Sequence, residues 1–298
     1  MTARQPTIDA ATVRETLRAA GLRARHGLSQ NFLVDPDVLE AILAEAQPTA
    51  GRRVLEIGPG LGLLTGALLE ADAVVTAIEL DRDLAELLSG RFATEVEDGR
   101  LRLIEGDALD HELTRLIEPP YDVVANLPYH ITSPILHALL AIPPRPERAV
   151  LMVQREVAER VAAPPGRMSY LSVFVQYHAR VRIARRVPPE AFEPAPAVDS
   201  AILVIEPFTG EDADLLAPDT TDDLWRLVQA GFRERRKMIH NVLVRQLPIE
   251  APRVGAALEA AGIAPDRRPQ TLAVGEWLAL REALGPLEPD HRGRRRPR

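Results

Sequence analysis

One short stretch constrains the fold of this chain more than any other. It reads Val54-Leu55-Glu56-Ile57-Gly58-Pro59-Gly60-Leu61-Gly62-Leu63-Leu64-Thr65, so a short apolar run breaks into three alternate glycines and then into a helical pattern. A strand, a tight glycine turn and a helix N-terminus allow the backbone to approach a ligand closely. The stretch therefore predicts a ligand-binding loop in an α/β sheet, and a purely structural glycine turn is the alternative.

The loop differs from the dinucleotide fingerprint, in which the last two glycines are separated by two residues. Pro59 removes an N–H group that a pyrophosphate cradle would use. Glu56 also places a carboxylate where an anionic pyrophosphate would be repelled. This chemistry favours a cationic or zwitterionic ligand, such as the sulfonium and amino-acid end of S-adenosylmethionine.

Strand and helix patterns alternate through the first 160 residues. The predicted strands cover residues 53–57, 74–79, 101–104, 121–125 and 149–153, with two more at 181–187 and 200–205. Polar residues follow the early strands: Glu79, Asp107 and Asn126. In open α/β sheets ligands bind outside the carboxyl ends of the strands, so we expect these side chains to converge on one crevice. For any single acid, a solvated strand end is the alternative.

Beyond the last predicted strand the pattern becomes purely helical. An acidic, proline-containing segment at 207–218 is a candidate domain boundary. One helix is predicted from residue 224 to 244, and others near 254–261 and 274–284. We therefore expect an α/β domain over residues 1–208, a small all-α domain over 209–285 and a disordered basic tail over 286–298.

Composition excludes several classes of protein. The chain of 298 residues has no apolar run long enough for a membrane span and no cysteine for disulfides or thiolate chemistry, which fits a reducing cytoplasm. Its net charge of −7 argues against indiscriminate coating of nucleic acid. No His, Cys or Asp partner lies at ligand spacing from His26, so no metal site is expected.

The tetrapeptide Asn126-Leu127-Pro128-Tyr129 is suited to chemistry on an exocyclic adenine amine. The lone pair of that nitrogen is delocalised into the ring, so a methylating site needs two acceptors for its hydrogens. The Asn126 side-chain oxygen and the backbone carbonyl of Leu127 or Pro128 can supply them, and Tyr129 offers a face for an extruded base. Alternatively, this is a structural turn whose tyrosine packs into the core.

A proline-stiffened loop at 188–199 carries Phe192. Proline restricts the backbone, so the loop either presents this ring to a ligand or uses it to fill the core beneath. Periodicity does not separate the two interpretations.

Together these motifs resemble the ribosomal RNA adenine dimethyltransferase family, and within it the bacterial small-subunit type. The matching motifs are Gln30-Asn31-Phe32-Leu33, the loop 56–62, Glu79, Gly106-Asp107-Ala108-Leu109, Asn126-Leu127-Pro128-Tyr129, Gln154-Arg155-Glu156-Val157-Ala158, Phe192-x-Pro194-x-Pro196-x-Val198-Asp199-Ser200 and Phe232-x-x-Arg235-Arg236-Lys237-x-x-x-Asn241. The resemblance spans about residues 21–284 and implies a Rossmann-like S-adenosylmethionine-dependent methyltransferase, with a seven-stranded, mostly parallel sheet and a small helical C-terminal domain.

The resemblance also implies roles for individual residues. Asn31, Leu33, Gly58 and Gly60 would border the methionine portion of the cofactor, Glu79 the ribose hydroxyls, Asp107 the adenine amino group, and Asn126 both cofactor and target. Tyr129 and Phe192 would sandwich the target base, with Asn126, Leu127 and Pro128 completing the catalytic set. RNA would contact Arg23, Arg25, His26, Arg233, Arg235, Arg236 and Lys237.

The implied reaction is dimethylation of two adjacent adenosines in a hairpin near the 3′ end of small-subunit rRNA, by a cytoplasmic monomer acting on the small subunit or its precursor. Three alternatives remain: the large-subunit dimethylase of macrolide resistance, a DNA adenine methyltransferase, and a non-catalytic binding factor on the same fold. The Phe232–Asn241 string favours the small-subunit type, and Leu127 stands where DNA enzymes usually carry proline. A binding factor predicts loss of the cofactor residues, all of which are present.

Overall fold

The structure, a computed structural model, describes residues 9–28, 30–209 and 218–287. Most of the predicted acidic boundary segment, residues 210–217, and most of the predicted basic tail, residues 288–298, lie outside the described residues. No helix in the described ranges has the length and apolar character needed to cross a membrane.

The strands and helices alternate as predicted over the first half of the chain. The strands are β1 (Phe32–Leu33), β2 (Arg53–Ile57), β3 (Val74–Glu79), β4 (Leu101–Glu105), β5 (Tyr121–Asn126), β6 (Arg148–Gln154), β7 (Ala179–Val187), β8 (Phe192–Glu193) and β9 (Ser200–Pro207). The helices are α1 (Ala10–Ala19), α2 (Pro36–Ala46), α3 (Leu63–Glu70), α4 (Arg82–Arg91), α5 (Ala93–Glu97), α6 (Thr132–Leu140), α7 (Arg155–Val161), α8 (Tyr170–His178), α9 (Pro218–Phe232), α10 (Ile239–Gln246), α11 (Ala251–Ala260) and α12 (Val274–Leu284).

Seven of the strands form one sheet in the order β4-β3-β2-β5-β6-β9-β7. The first five in that order are parallel, and β9 is antiparallel to both of its neighbours. Strands buried on both faces need continuous apolar runs, and Val54, Leu55 and Ile57 of β2 are accordingly buried. The predicted seven-stranded, mostly parallel sheet is confirmed.

The reversed strand β9 has a consequence for the ligand-binding edge. Its first residue, Ser200, pairs with Gln154 at the end of β6 and with Val187 at the end of β7. An antiparallel strand therefore places its first residue at the edge where the parallel strands place their last. Ser200 lies at the same edge as Glu79 and Asn126, although it begins a strand.

The chain divides into two compact units. One contains the described residues up to Glu159 together with Ala179–Pro207, and the other contains Arg160–His178 with the described residues from Phe208 onward. The last crossing between the units falls between Pro207 and Phe208, whereas the predicted first domain ends at residue 208. Residues 160–178, which the prediction assigned to the first domain, belong to the helical unit because Met168, Val173 and Tyr177 pack in its apolar core.

The prediction of one continuous helix over residues 224–244 is wrong. Helix α9 ends at Phe232, and a turn leads to α10, which begins at Ile239. Met238 is extended, and the Ile239 N–H donates to the Arg267 carbonyl at 2.7 Å instead of continuing a helix. A backbone partner distant in sequence thus breaks a helix that periodicity alone would continue.

Candidate active site

A cavity of about 1010 Å³ opens at the carboxyl edge of the sheet. Its wall includes every residue predicted to border the cofactor and the whole predicted catalytic turn: Asn31, Leu33, Gly58, Gly60, Glu79, Asp107, Asn126, Leu127, Pro128 and Tyr129. The sheet topology explains this convergence, since β2, β3, β4 and β5 are parallel neighbours whose ends meet at one edge. The volume is at the upper end of single-ligand cavities, leaving room for a cofactor and a nucleobase.

The Glu79 carboxylate is held in place by backbone N–H groups. Gly60 donates to one of its oxygens at 3.0 Å and Asp81 donates to the other at 2.9 Å. A carboxylate offers about four lone-pair positions, so further hydroxyl donors can still bind it. Burial raises the pKa of Glu79, while the two backbone donors act in the opposite direction. The geometry suits recognition of a vicinal diol.

Glu56 lies beneath the glycine loop and is 1% exposed. The Thr65 hydroxyl donates to its carboxyl at 2.7 Å. Burial raises the pKa of Glu56 to about 8, and the nearby charge of Glu79 acts in the same direction. The sequence indicates a carboxylate here, whereas the burial seen in the structure favours the protonated carboxyl at neutral pH, and a cation in the cavity would act in the opposite direction.

Asp107 ends the loop after β4 and caps the short turn that follows. Its side chain accepts from the Leu109 N–H at 2.9 Å, which fixes the orientation of the carboxylate at the cavity wall. One carboxylate oxygen is thereby committed to the turn, and the other remains for a donor such as an amino group.

The side chain of Asn126 is oriented by a single backbone group. Its Nδ2 donates to the carbonyl oxygen of Asn31 at 3.1 Å. A carbonyl can be satisfied only by the NH₂ end of the amide, so the contact fixes which end of Asn126 faces Asn31. The Oδ1 atom is then an acceptor at the cavity wall. Backbone contacts hold the turn as well, since the Leu127 N–H donates to Met152 at 3.0 Å.

Tyr129 follows this turn and also lines the cavity. Its hydroxyl is hydrogen-bonded to the buried Ser200 hydroxyl, with the two oxygens 2.7 Å apart. Burial raises the pKa of Tyr129, so the phenol is neutral at physiological pH. Its ring is therefore held at the hydroxyl end by a hydrogen bond to Ser200, and the residue lines the cavity.

Comparison with known proteins identifies the family. The profile of the ribosomal RNA adenine dimethylases matches residues 21–284. The chain belongs to the ribosomal RNA adenine dimethylase family. Ribosomal RNA small subunit methyltransferase A of Anaeromyxobacter dehalogenans is 44% identical over 277 residues, which cover 89% of this chain and 94% of that protein. The protein of the same name from Geobacter sulfurreducens is 40% identical over 275 residues, covering 90% of this chain and 98% of its own.

Two solved structures similar to this chain are a dimethyladenosine transferase and an rRNA methyltransferase. A dimethyladenosine transferase from Plasmodium falciparum superposes with a TM-score of 0.70 at 28% identity, covering 84% of this chain and 95% of that one. The 23S rRNA methyltransferase ErmE superposes with a TM-score of 0.68 at 30% identity, covering 85% of this chain and 99% of its own. The fold and the methyltransferase activity of this dimethylase are therefore those of an established family.

The methyl donor of this dimethylase is S-adenosylmethionine, and the cavity fits that molecule. The loop at Gly58 and Gly60 lets backbone approach the ligand, and Glu79 keeps acceptor positions for a ribose diol. Glu56 also lines the cavity, and a positively charged centre entering there would favour the ionised form of its buried carboxyl. The acid side chains thus match a ligand with a net positive centre.

Phe192, predicted to stack on the target base, does not line the cavity. Its side chain is 3% exposed and belongs to the apolar core, outside the cavity wall. The reason is the short antiparallel pairing of β1 with β8, in which Phe192 lies opposite Leu33. Phe192 thus fills the core beneath the loop in this structure, and its role at the target base stays a prediction.

The predicted RNA-binding residues of the first unit have different environments. Arg25 is bound to Asp81 at 3.0 Å and also to Asp83, so its guanidinium is engaged within the protein. Arg23 is exposed, and the His26 side chain lies outside what the structure describes. Arg25 therefore anchors its own segment to the N-terminus of α4, and its role as an RNA contact stays a prediction.

In the helical unit the predicted basic cluster lies on the turn between α9 and α10, not on a helix face. Arg235, Arg236 and Lys237 are exposed, while Arg233 donates to the Gln246 side chain at 3.1 Å. In the part of the chain that the structure describes, no three potential metal ligands are grouped.

Several cavity residues were missed by the sequence analysis. Helix α1 contributes Thr12, Val13 and Thr16 to the wall, and Val13 and Leu17 pack in a small apolar cluster with Phe32. The spacing of Val13 and Leu17 predicts an apolar face but not what it covers. Ser200 was noted only as part of a motif, since the start of an antiparallel strand gives no sign that it returns to the ligand edge.

Proposed function

We propose that this protein dimethylates the N6 atoms of two adjacent adenosines in a hairpin near the 3′ end of small-subunit rRNA, during ribosome biogenesis. The relatives named small subunit methyltransferase A, at 38–44% identity, support the small-subunit substrate over the large-subunit one, since ErmE is 30% identical. As part of this proposal the protein is a cytoplasmic monomer, and its partner is the small ribosomal subunit or a precursor of it.

Each end of the cofactor would meet a different group of residues. Glu79 would accept hydrogen bonds from the ribose hydroxyls, and the unengaged oxygen of Asp107 would accept from the adenine amino group. Asn31, Leu33, Gly58 and Gly60 would border the methionine portion. When bound, S-adenosylmethionine supplies an electrophilic methyl group on a positively charged sulfur.

The orientation of Asn126 is the observation that best supports the proposed reaction. Because Asn31 accepts from its Nδ2, the Oδ1 atom is left as a fixed acceptor for one hydrogen of the adenine amine. The backbone carbonyl of Leu127 or Pro128 would accept the other. Two acceptors draw the nitrogen toward tetrahedral geometry and restore its lone pair as a nucleophile, and preorganised dipoles of this kind act without reorganisation cost at the moment of reaction. The methylated nitrogen then loses its proton to solvent, so the chain need not supply a strong base.

Base positioning and RNA docking would use other residues. The ring of Tyr129 at the cavity wall would stack on the extruded adenine. The exposed side chains of Arg23 and, in the helical unit, of Arg235, Arg236 and Lys237 would contact rRNA phosphates. Arg233 would contribute after releasing Gln246.

The test is methyl transfer from labelled S-adenosylmethionine to small subunits that lack dimethyladenosine, with large subunits and duplex DNA assayed in parallel. We expect label on two adjacent adenosines of small-subunit rRNA. Asn126→Ala removes the acceptor, and Asn126→Asp replaces the donor to Asn31 with a charged acceptor. Both should reduce the transfer rate by about 10²–10³-fold, the effect of losing one preorganised dipole.

Each competing function gives a different result. Label on the large subunit would assign the protein to the ErmE type, and label on DNA would assign it to the DNA enzymes. Binding of S-adenosylmethionine and of small subunits without transfer to any substrate would leave only a binding factor. Full activity of Asn126→Ala would refute the role of the amide.

A further inference from the structure

Ser200 makes a contact that the reaction outlined above does not use. It is fully buried at the first position of β9, and its hydroxyl oxygen lies 2.7 Å from the hydroxyl oxygen of Tyr129. The two residues are 71 positions apart in the chain. A part-buried polar pair with one fully buried member is retained at a cost in desolvation, so the contact requires a physical account.

The Ser200 end of this contact is rigid. Ser200 pairs with Gln154 on one side and with Val187 on the other, and the next two residues of β9, Ala201 and Ile202, are fully buried. Its position is therefore set by two strand neighbours and by the core. Displacing its hydroxyl would require moving the end of an interior strand.

The Tyr129 end is less constrained by the backbone. Tyr129 begins a single turn of 3₁₀ helix, closed by the Ile131 N–H donating to Pro128 at 3.2 Å. The Thr132 hydroxyl also donates to the Tyr129 carbonyl at 3.2 Å. These contacts fix the main chain but leave the two side-chain torsions free. Among the contacts shown by the described residues, only the Ser200 hydroxyl binds the phenol.

We propose that Ser200 is a positioning residue, which holds the Tyr129 ring at the angle that stacks on the target adenine. This inference rests on the proposed stacking role of Tyr129. The hydroxyl of Ser200 does not contact substrate or cofactor and acts only through the phenol. A base that enters the cavity then meets a ring whose orientation is already set, so less torsional freedom is lost when the complex forms.

The tests are Ser200→Ala, Tyr129→Phe and the double variant of these two, and Tyr129→Ala removes the ring itself as a test of stacking. The two single variants remove the same hydrogen bond from opposite ends, and Tyr129→Phe does so without leaving a cavity. The net value of one hydrogen bond corresponds to a fall of about 3–10-fold in the single-turnover rate of methyl transfer to small subunits. Affinity for S-adenosylmethionine, measured by calorimetry, should not change. The double variant should be no slower than the slower single variant, because both act through one contact.

Tyr121→Phe is the matched control. The Tyr121 hydroxyl donates to the Pro144 carbonyl at 2.9 Å, and Tyr121 begins β5, at the edge of the sheet opposite the cavity. This variant also loses one buried phenol contact, so it lowers the unfolding midpoint. The transfer rate of the folded protein should match that of wild type.

The possible outcomes separate the two claims. A wild-type rate for Ser200→Ala, with a slow Tyr129→Ala, would overturn the role of Ser200 and leave the stacking role of Tyr129 intact. Single-variant effects that multiply in the double variant would also overturn it, since the residues would then act independently. A wild-type rate for Tyr129→Ala on small subunits would refute the proposed stacking itself. Equal slowing of Tyr121→Phe would show that lost stability, not ring position, sets the rate.

Discussion

A substitution at Gly62 tests whether the glycine loop serves only ligand binding or is also required for packing of the core. It has φ +77° and stands directly before α3. A Cβ atom added there would lie 2.5 Å from Cδ2 of Leu88 and 2.6 Å from Cε2 of Phe92. Both side chains belong to the buried core, so they have little room to yield. We expect Gly62→Ala to destabilise the fold by two separate mechanisms.

The expected loss of stability of Gly62→Ala is the sum of a backbone cost and an overpacking cost. A left-handed backbone costs a residue with a Cβ atom about 1–2 kcal/mol. Overpacking a close-packed core costs a further ~1–3 kcal/mol. The expected loss in the free energy of unfolding is therefore about 2–5 kcal/mol.

Gly51→Ala isolates the backbone effect. Gly51 has φ +71°, and an added Cβ atom would meet nothing within 4 Å. We expect this variant to lose only about 1–2 kcal/mol, so that the difference between the variants measures the collision with Leu88 and Phe92.

Urea unfolding followed by circular dichroism measures both free energies of unfolding. The two tryptophans, Trp225 and Trp277, lie in the helical unit, so their fluorescence reports the unfolding of that unit. Up to that transition, the fluorescence of wild type and of both variants should change with urea in the same way. Equal losses for Gly62→Ala and Gly51→Ala would refute the reasoning, because the steric contribution would then be absent.

Three further predictions concern other parts of the chain. The pKa of Glu56 is raised to about 8 in the folded protein, so between about pH 4.5 and 8 the folded carboxyl keeps a proton that the unfolded one has lost. The free energy of unfolding should therefore fall as the pH rises from about 4.5 to 8. Urea titrations of Glu56→Gln should show no such fall. Arg52→Lys should cost about 1–2 kcal/mol in chemical denaturation, because lysine cannot reproduce the paired contacts of Arg52 with both carboxylate oxygens of Asp122; a loss below about 0.5 kcal/mol would contradict this. Gly231→Ala should destabilise the helical unit, although alanine favours helices by about 1 kcal/mol, because its Cβ atom would lie 2.5 Å from Trp277; an increased fluorescence unfolding midpoint would show that the ring moves aside.

The sequence predicts the sheet and its ligand-binding edge because both depend on local patterns. Apolar runs bounded by polar residues specify the strands, and parallel pairing then brings Glu79, Asp107 and Asn126 to one cavity. This step needs no knowledge of distant contacts. The alternation of strand and helix is sufficient to place three side chains that lie far apart in the chain.

The environments that the sequence does not predict depend on partners distant in the chain. Arg25 lies in a basic segment typical of an RNA contact, but its guanidinium pairs with Asp81, which lies 56 residues away in the sequence. Phe192 stands in an exposed-looking proline loop, yet pairing with β1 draws it into the core. Periodicity carries no information about either contact, so it predicts neither the ion pair of Arg25 nor the pairing of Phe192 with Leu33.

The motif Gln30-Asn31-Phe32-Leu33 shows how such distant contacts converge on the site. The Gln30 amide donates to Asp81 at 2.8 Å, and the backbone N–H of Asp81 in turn holds Glu79. The next residue, Asn31, supplies the carbonyl that orients Asn126. Three hydrogen bonds therefore join the Glu79 carboxylate to Asn126, the proposed amine acceptor, through one short segment.

The remaining two residues of the motif explain why that segment is rigid. The Phe32 ring lies against Gly60, where an added Cβ atom would be 3.2 Å away, and Leu33 is buried in the main core. A side chain at position 60 would press against the Phe32 ring, so this packing favours glycine there. The flat ring in turn covers the glycine loop. The side chains of Gln30, Phe32 and Leu33 thus each have a separate partner, so replacing any one of these three should disturb the segment whose Asn31 carbonyl orients Asn126.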